Sequence, residues 1–323
     1  MIKLIGEKNY EKMMRTVVEP GLAAMREEMD VPVADGASLH AEIYNRFDAK
    51  GAVVIVHGYT ECAEKYREFC WYFVNAGYSV FVYDQRGHGR SLREVEDLSV
   101  THVDYFDQYV EDLELLMNQV VRPRMGDAPV FLYGHSMGGA VAARVLMEHP
   151  DWFKRAVLNA PMIKCVTGGV PSWMAETIVR LECLLGRGKK RAIVGKPFDP
   201  ERETFEGSHS TSRARFDYFQ KKRVETPHYQ NCAPTNSWLR EAIGVTRTLL
   251  NPANTAKIKT PLLLVQAGLD SIVCLPEQEK FVSQVEGARL VYLEDAKHEI
   301  YCGHDDVLTR YYEAVFAFLN EEA

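Results

Sequence analysis

The run Gly134-His135-Ser136-Met137-Gly138 sets a serine between glycines two positions to either side, directly after the apolar run PVFLY and directly before a stretch with helical spacing. Small residues at those places permit a strained strand-to-helix turn that lifts Oγ clear of a sheet, so Ser136 is a candidate nucleophile. A serine hydroxyl is weak on its own. It needs a base within hydrogen-bond reach, and the base needs a carboxylate to orient it. Ala-Gly-Leu-Asp-Ser-Ile-Val places Asp270 in the turn after the run PLLLVQ, and Glu-Asp-Ala-Lys-His-Glu places His298 in the turn after RLVYL. The chemistry such a set supports is acyl transfer to a serine oxygen.

Ten histidines compete for the role of base. His135 adjoins the nucleophile but points away from it at a tight turn, and His40, His102, His149, His209 and His228 do not follow a strand in the required way. His304 reads as a cap of the last helix. Glu294 and Asp295 share a loop with His298 and are too near to reach its Nδ1 side, while Asn159 cannot supply an anion. Acyl transfer also requires two donors for an oxyanion. The N–H of Met137, next after the serine, is one. The other is assigned to Tyr59 in His57-Gly58-Tyr59, which follows the run AVVIV and whose glycine lets backbone approach a substrate oxygen. A further turn, residues 84–91, carries charges that serve loop geometry rather than substrate.

Those residues must be positioned by a sheet. Short β-branched runs recur at 52–56, 79–83, 129–133, 155–159, 261–266 and 289–293, with helical spacing over 64–75, 104–121, 137–149, 277–285 and 305–320 between and after them. Such alternation implies a mostly parallel sheet with helices on both faces. An antiparallel hairpin over 30–46, turning at Asp35-Gly36, opens it. The alternation lapses after Pro161 and returns at Pro261. A structureless loop of that length is uncommon, so a helical lid over the sheet is expected. The chain then divides into a first part of the core (1–161), a helical cap (162–255) and a second part of the core (256–323). The first residues, with Tyr10, Met13, Met14, Val17 and Val18 at helical spacing, read as a helix packed on that core rather than as an anchor.

Lys and Arg number 38 against 45 for Asp and Glu, a net charge of −7, which argues against nucleic acid as a partner. Seven scattered cysteines without a C-x-x-C pair read as reduced thiols, and Cys302 and His304 lack the further ligands a metal site needs. Neither metal nor cofactor is called for. No segment has the apolar length of a membrane span, and the N-terminus lacks a secretory pattern. A cytoplasmic protein is expected, one able to touch a membrane surface in passing; its oligomeric state is not legible.

The order Ser, Asp, His, each after a later strand, is that of the α/β-hydrolase fold. The runs HGYTECAEKYREF, VFVYDQRGHGRS, VFLYGHSMGG, LNAPM and AKHEI resemble the monoacylglycerol lipase and bacterial lysophospholipase group of that fold over most of residues 28–320, and HSTSRARFDYF and APTNSWLREAI carry the resemblance into the cap. It implies an eight-stranded sheet, a helical cap, a triad of Ser136, Asp270 and His298, and oxyanion donors at Tyr59 and Met137. The implied substrate is a lipid ester with a single acyl chain. Trp173, Met174, Ile178, Trp238 and Leu239 are candidates to line an acyl cleft, and Arg213 and Arg215 to meet a phosphate. Three rivals stay open: an aminopeptidase holding a free amino terminus on Glu176 or Glu182, a thioesterase or acyltransferase, and a non-catalytic binding protein on a hydrolase scaffold. A serine at 136 excludes the hydrolases that use aspartate at this turn.

Overall fold

Valine, isoleucine and leucine crowd the runs that become strands because branched side chains fit a pleated, buried surface. The computed structural model describes residues 3–33 and 36–321. It shows strands β1 (Arg26–Pro32), β2 (Ser38–Tyr44), β3 (Ala52–Val56), β4 (Ser79–Tyr83), β5 (Val100–Thr101), β6 (Val130–His135), β7 (Arg155–Asn159), β8 (Ala233–Pro234), β9 (Leu262–Ala267) and β10 (Arg289–Leu293). Eight of them form one sheet in the order β1-β2-β4-β3-β6-β7-β9-β10, while β5 and β8 pair separately. β1 with β2 and β2 with β4 are antiparallel; the other neighbours in the large sheet are parallel. Every residue of β3, β4, β6, β7 and β9 is buried, as continuous apolar runs covered on both faces should be. The hairpin β1–β2 forms where the sequence indicates; Asp35 of its expected turn lies outside the described residues.

The two faces of the sheet hold separate apolar layers. Helices Gln108–Leu116 and Met137–Glu148 pack on one, with Trp238, Ala242, Val245 and Leu249 of helix Asn236–Leu249. Helices Arg67–Asn75 and Asp305–Leu319 pack on the other, joined by Tyr10, Met14, Val18 and Leu22 of a helical segment over 7–23. The four-residue spacing of those last side chains places them on one stripe, so the N-terminal segment is held against the core.

Between β7 and β9 the chain carries helices Ser172–Glu182, Arg213–Glu225 and Asn236–Leu249. Their attachments differ. Asn236–Leu249 presses an apolar face into the core, Thr235 capping its first turn by accepting from the Trp238 N–H. Arg213–Glu225 rests on the N-terminal segment, where Tyr218 meets Tyr10 edge-on at 5.7 Å and donates to Glu19 at 2.7 Å. Ser172–Glu182 leans on Asn236–Leu249 and buries only Val179. Among the described residues no helix is long and apolar enough to cross a membrane.

Candidate active site

Gly134, Ser136 and Gly138 occupy the turn from β6 into helix Met137–Glu148. Ser136 has φ 52° and ψ −118°, a backbone that side chains other than glycine's rarely adopt. Contact, not conformation, explains the glycines: a Cβ at Gly138 would lie 2.1 Å from the Val56 oxygen, one at Gly134 2.6 Å from the Gly138 oxygen, and one at Gly139 2.7 Å from Pro161 Cβ. The strained turn is held from several sides. The Ser136 N–H donates to the Asn159 oxygen at 3.1 Å, and the Ser136 oxygen accepts from Met162 at 2.8 Å.

Chain distance closes at this turn. His298 Nε2 lies 2.8 Å from Ser136 Oγ, and His298 Nδ1 lies 2.6 Å from Asp270 Oδ2. A carboxylate at Nδ1 fixes the proton there, which leaves Nε2 as acceptor for the hydroxyl. Asp270 is itself anchored, its Oδ1 accepting from the N–H groups of Ile272 at 2.8 Å and Val273 at 3.1 Å. Burial pushes the Asp270 carboxyl up, but the hydrogen bond and charge of His298 together with those two amides outweigh it, and the group sits below its ordinary range. It is therefore an anion at neutral pH. His304 caps the last helix by accepting from Val307, and Asp295 pairs with Arg310; neither competes for the base.

The loop after β3 is locked in place by neighbours that sequence reasoning did not single out. His57 donates from Nδ1 to the Gly58 oxygen at 2.7 Å and accepts at Nε2 from the Gln85 N–H at 2.9 Å. The Gly58 N–H donates to Glu61 Oε2 at 2.6 Å, which also takes the Tyr66 hydroxyl at 2.7 Å. Lys65 Nζ bridges Glu61 Oε1 at 3.0 Å and Glu299 Oε1 at 2.6 Å, and Tyr301 donates to Glu61 as well. Burial opposes charge on Glu61, but Lys65, His135 and the two tyrosines hold its carboxyl far below the usual range. Burial likewise lowers Lys65, and the charges of Glu299 and Glu61 reverse this and raise it. The available signal was a buried-spaced Glu four residues before a Lys. Met137 is the first residue of its helix, so its N–H is one of the first-turn donors with no acceptor inside the helix. Gly58 faces it closely, a Cβ there lying 3.2 Å from Ser136 Cβ.

A cleft of about 680 Å³ opens over Ser136 and His298. Tyr59, Met162, Cys165, Val166, Trp238 and Leu239 are among its apolar lining residues, and Glu64, Glu203, Lys222 and Arg223 among its charged ones. The Tyr59 and Trp238 ring centroids lie 4.1 Å apart with the planes tilted by 30°, and the Trp238 indole donates to the Tyr109 hydroxyl at 3.1 Å. Trp238 and Leu239 are among the lining residues. Trp173, Met174 and Ile178 are not. They are 69%, 39% and 50% exposed on the outer side of their helix and take no part in the lining. The two arginines differ. Arg215 is among the residues lining the cleft, where it is buried in ion pairs with Glu68 at 2.9 Å and Asp305 at 3.2 Å and donates to the Ile5 oxygen at 2.7 Å, which fastens its helix to the N-terminal segment. Arg213 pairs with Glu206 over the Phe205 ring, outside the cleft.

Among the described residues, Glu28, His40 and Glu42 offer ligand atoms within 4.8 Å of one another, but Arg67 and Arg90 already bind Glu42 and Arg26 binds Glu28, so guanidinium groups supply the positive charge there.

This geometry has counterparts. A carboxyl esterase from Bacillus coagulans superposes with TM-score 0.72 at 18% identity over 91% of this chain and 98% of that one. A soluble variant of monoglyceride lipase from Saccharomyces cerevisiae gives 0.71 at 19%, covering 91% and 96%. Both share the α/β-hydrolase fold with this chain. In sequence, lysophospholipase L2 of Escherichia coli strain K12 is 31% identical over 284 residues, which is 83% of this chain and 80% of that protein. The profile of the family described as "Serine aminopeptidase, S33" matches residues 48–305, and with that match the chain belongs to this α/β-hydrolase family.

Proposed function

We propose that the chain hydrolyses the carboxylic ester of a single-acyl-chain lipid, a lysophospholipid or a monoacylglycerol. The observation that carries this reading is the relay from Asp270 through His298 to Ser136, with steps of 2.6 and 2.8 Å, opening on a cleft lined by both apolar and charged residues. The name of the similar E. coli protein supports a lipid substrate.

Ser136 Oγ attacks the ester carbonyl while its proton passes to His298 Nε2, and Asp270 steadies the imidazolium that forms. The oxyanion is received by the N–H groups of Met137 and Tyr59. Collapse expels the alcohol, which takes the proton from Nε2 and leaves an acyl-enzyme on Ser136. Water, deprotonated by the same nitrogen, then releases the fatty acid. The acyl chain lies along Tyr59, Met162, Val166, Trp238 and Leu239, beneath a cap formed by 162–255.

An aminopeptidase needs a carboxylate free to hold a substrate ammonium. Glu176 is bound to Arg180 at 2.7 Å and Arg247 at 2.8 Å, and Glu182 to Arg187 at 3.3 Å, all outside the cleft. The ester reading is therefore preferred. Its test is a substrate panel of monoacylglycerol, lysophosphatidylcholine, short nitrophenyl esters and aminoacyl naphthylamides, with fluorophosphonate labelling at Ser136. Turnover of the naphthylamides above the lipid esters would overturn it.

A further inference from the structure

Ahead of helix Arg213–Glu225 the chain reads Ser208-His209-Ser210-Thr211-Ser212, four hydroxyl side chains in five residues. Short hydroxyl side chains compete for main-chain groups, so a segment of this composition bonds to backbone rather than packing a core. The backbone it meets is the loop that bears His298. The Lys297 ammonium donates to the Ser208 oxygen at 3.1 Å and the Glu299 N–H to the His209 oxygen at 2.9 Å. The Ser210 hydroxyl donates to the Cys302 oxygen at 2.5 Å, and the His304 N–H to Thr211 Oγ1 at 3.0 Å. Four successive residues thus meet four positions spread over 297–304, running in the same direction.

The loop does not supply these partners itself. Its internal bonds run from Ile300 to the His298 oxygen, from Cys302 to the Glu299 oxygen and from Gly303 to the Ile300 oxygen, around a short 3₁₀ turn over Ile300–Cys302. The Glu299 and His304 N–H groups are left to be met from outside, and an enclosed N–H without a partner is costly. The His209 ring adds a contact of its own, its centroid 6.3 Å from that of His298 and edge-on at 88°. At the far end Ser212 Oγ donates to Glu7 Oε1 at 2.5 Å, and the Glu7 N–H donates to Asp305 at 3.1 Å, which closes the segment against the start of the last helix. The base is therefore steadied twice. Asp270 holds its Nδ1, and residues about ninety positions earlier hold the main chain that follows it.

We propose that Ser210 and Thr211 are positioning residues for the base, and that segment 208–211 sets where the His298 imidazole stands against Ser136 Oγ. The inference rests on the reading of His298 as that base. It gives the chain between β7 and β9 a part in the chemistry, through geometry alone, because a reacting group displaced by about 1 Å can lose about 10²-fold in rate.

The test uses the full chain and a soluble nitrophenyl ester, with rates counted per active site titrated by a fluorophosphonate so that unfolded molecules carry no weight. Thr211→Val keeps the shape and removes the acceptor, and Ser210→Ala removes the donor. Each should lose about ten-fold or more in kcat with KM within about two-fold of the parent. Thr211→Ser, which restores the oxygen, should recover most of the loss. Arg247→Met, which cuts an ion pair of the same region outside the cleft, should leave kcat unchanged. In the unaltered chain the Glu299 and His304 N–H groups should exchange with deuterium about a hundred-fold or more slowly than an open loop does. Fast exchange there, a Thr211→Val variant with the parent's kcat, or a loss confined to KM would each overturn the inference. A parent that neither takes the fluorophosphonate nor cleaves the ester would remove the reading of the base, and the inference with it.

Discussion

Lys65 Nζ stands 2.6 Å from Glu299 Oε1, although the two residues are 234 positions apart, and Glu299 is next in sequence to His298. The same ammonium holds Glu61, whose other oxygen grips the Gly58 N–H. One cation therefore ties the loop that bears Tyr59 to the loop that bears the imidazole. Removing it leaves two enclosed carboxylates without a counter-charge. Lys65→Met should cost about 3 kcal/mol in chemical denaturation, and its folded fraction should lose kcat more than KM. Adding Glu299→Gln should recover part of the stability loss, and a strictly additive double variant would remove the coupling.

Ser136 can be separated into its chemistry and its backbone. Ser136→Ala should lower turnover about 10⁵-fold or more with an unchanged melting curve. Ser136→Gly should be as inactive yet more stable by about 1 kcal/mol, because glycine accepts φ 52° without strain. A glycine variant less stable than the alanine one would show that the turn stores no strain.

Asp270→Asn tests the tautomer. The amide can still accept from Ile272 and Val273, so the loop should persist, but its NH₂ would face Nδ1 and drive the imidazole proton to Nε2. Turnover should fall about 10⁴-fold with little change in KM, and fluorophosphonate labelling should slow in parallel.

Arg215, a candidate for phosphate, lines the cleft and is ion-paired to Glu68 and Asp305. Arg215→Met should destabilise by about 3–5 kcal/mol, since it strands the buried Glu68. The ratio of lysophospholipid to monoacylglycerol turnover per folded molecule should stay constant. A change in that ratio would return Arg215 to the substrate.

Acid should weaken the fold through its neutral histidines. Burial lowers His135 to about 4, the carboxylates of Glu61 and Glu299 only partly opposing it, and burial lowers His57 and His88 too. Their folded values lie below the unfolded value of 6.5, so their contribution is complete above that pH. It declines as pH falls, because the unfolded chain then binds more protons, and for His135 it is exhausted near pH 4. That residue alone supplies about 3 kcal/mol across the window. Urea midpoints from pH 7 to pH 4 in the parent and in His135→Asn should show a shallower slope in the variant.

The strands and the relay were legible because both are written locally. Each run of β-branched residues became a strand within about two residues of its expected ends, and Ser136, Asp270 and His298 each follow directly from one. The cap was harder. Trp173, Met174 and Ile178 have the spacing of a helix, but spacing reports an amphipathic stripe without saying which way it faces; a partner decides that, and none covers them here. The ion pairs of Arg215 were not legible for a related reason: its partners Glu68 and Asp305 lie 147 and 90 positions away, on helices Arg67–Asn75 and Asp305–Leu319. The Glu61–Lys65 pair, four positions apart, carries no local sign of its burial, because its third member, Glu299, comes from the far end of the chain.

The N-terminal segment also distinguishes the helices that lie between β7 and β9. Tyr218 reaches Glu19, Lys222 reaches both Glu19 and Glu64, and Arg215 reaches the Ile5 oxygen, so helix Arg213–Glu225 is clasped to the core at several points, whereas helix Ser172–Glu182 buries a single side chain. Helix Arg213–Glu225 is thus fastened through charged side chains, and helix Ser172–Glu182 rests on helix Asn236–Leu249 alone among the helices named here. Limited proteolysis should nick the 166–196 side first, and trimming the leading two dozen residues should expose the other side to the same protease.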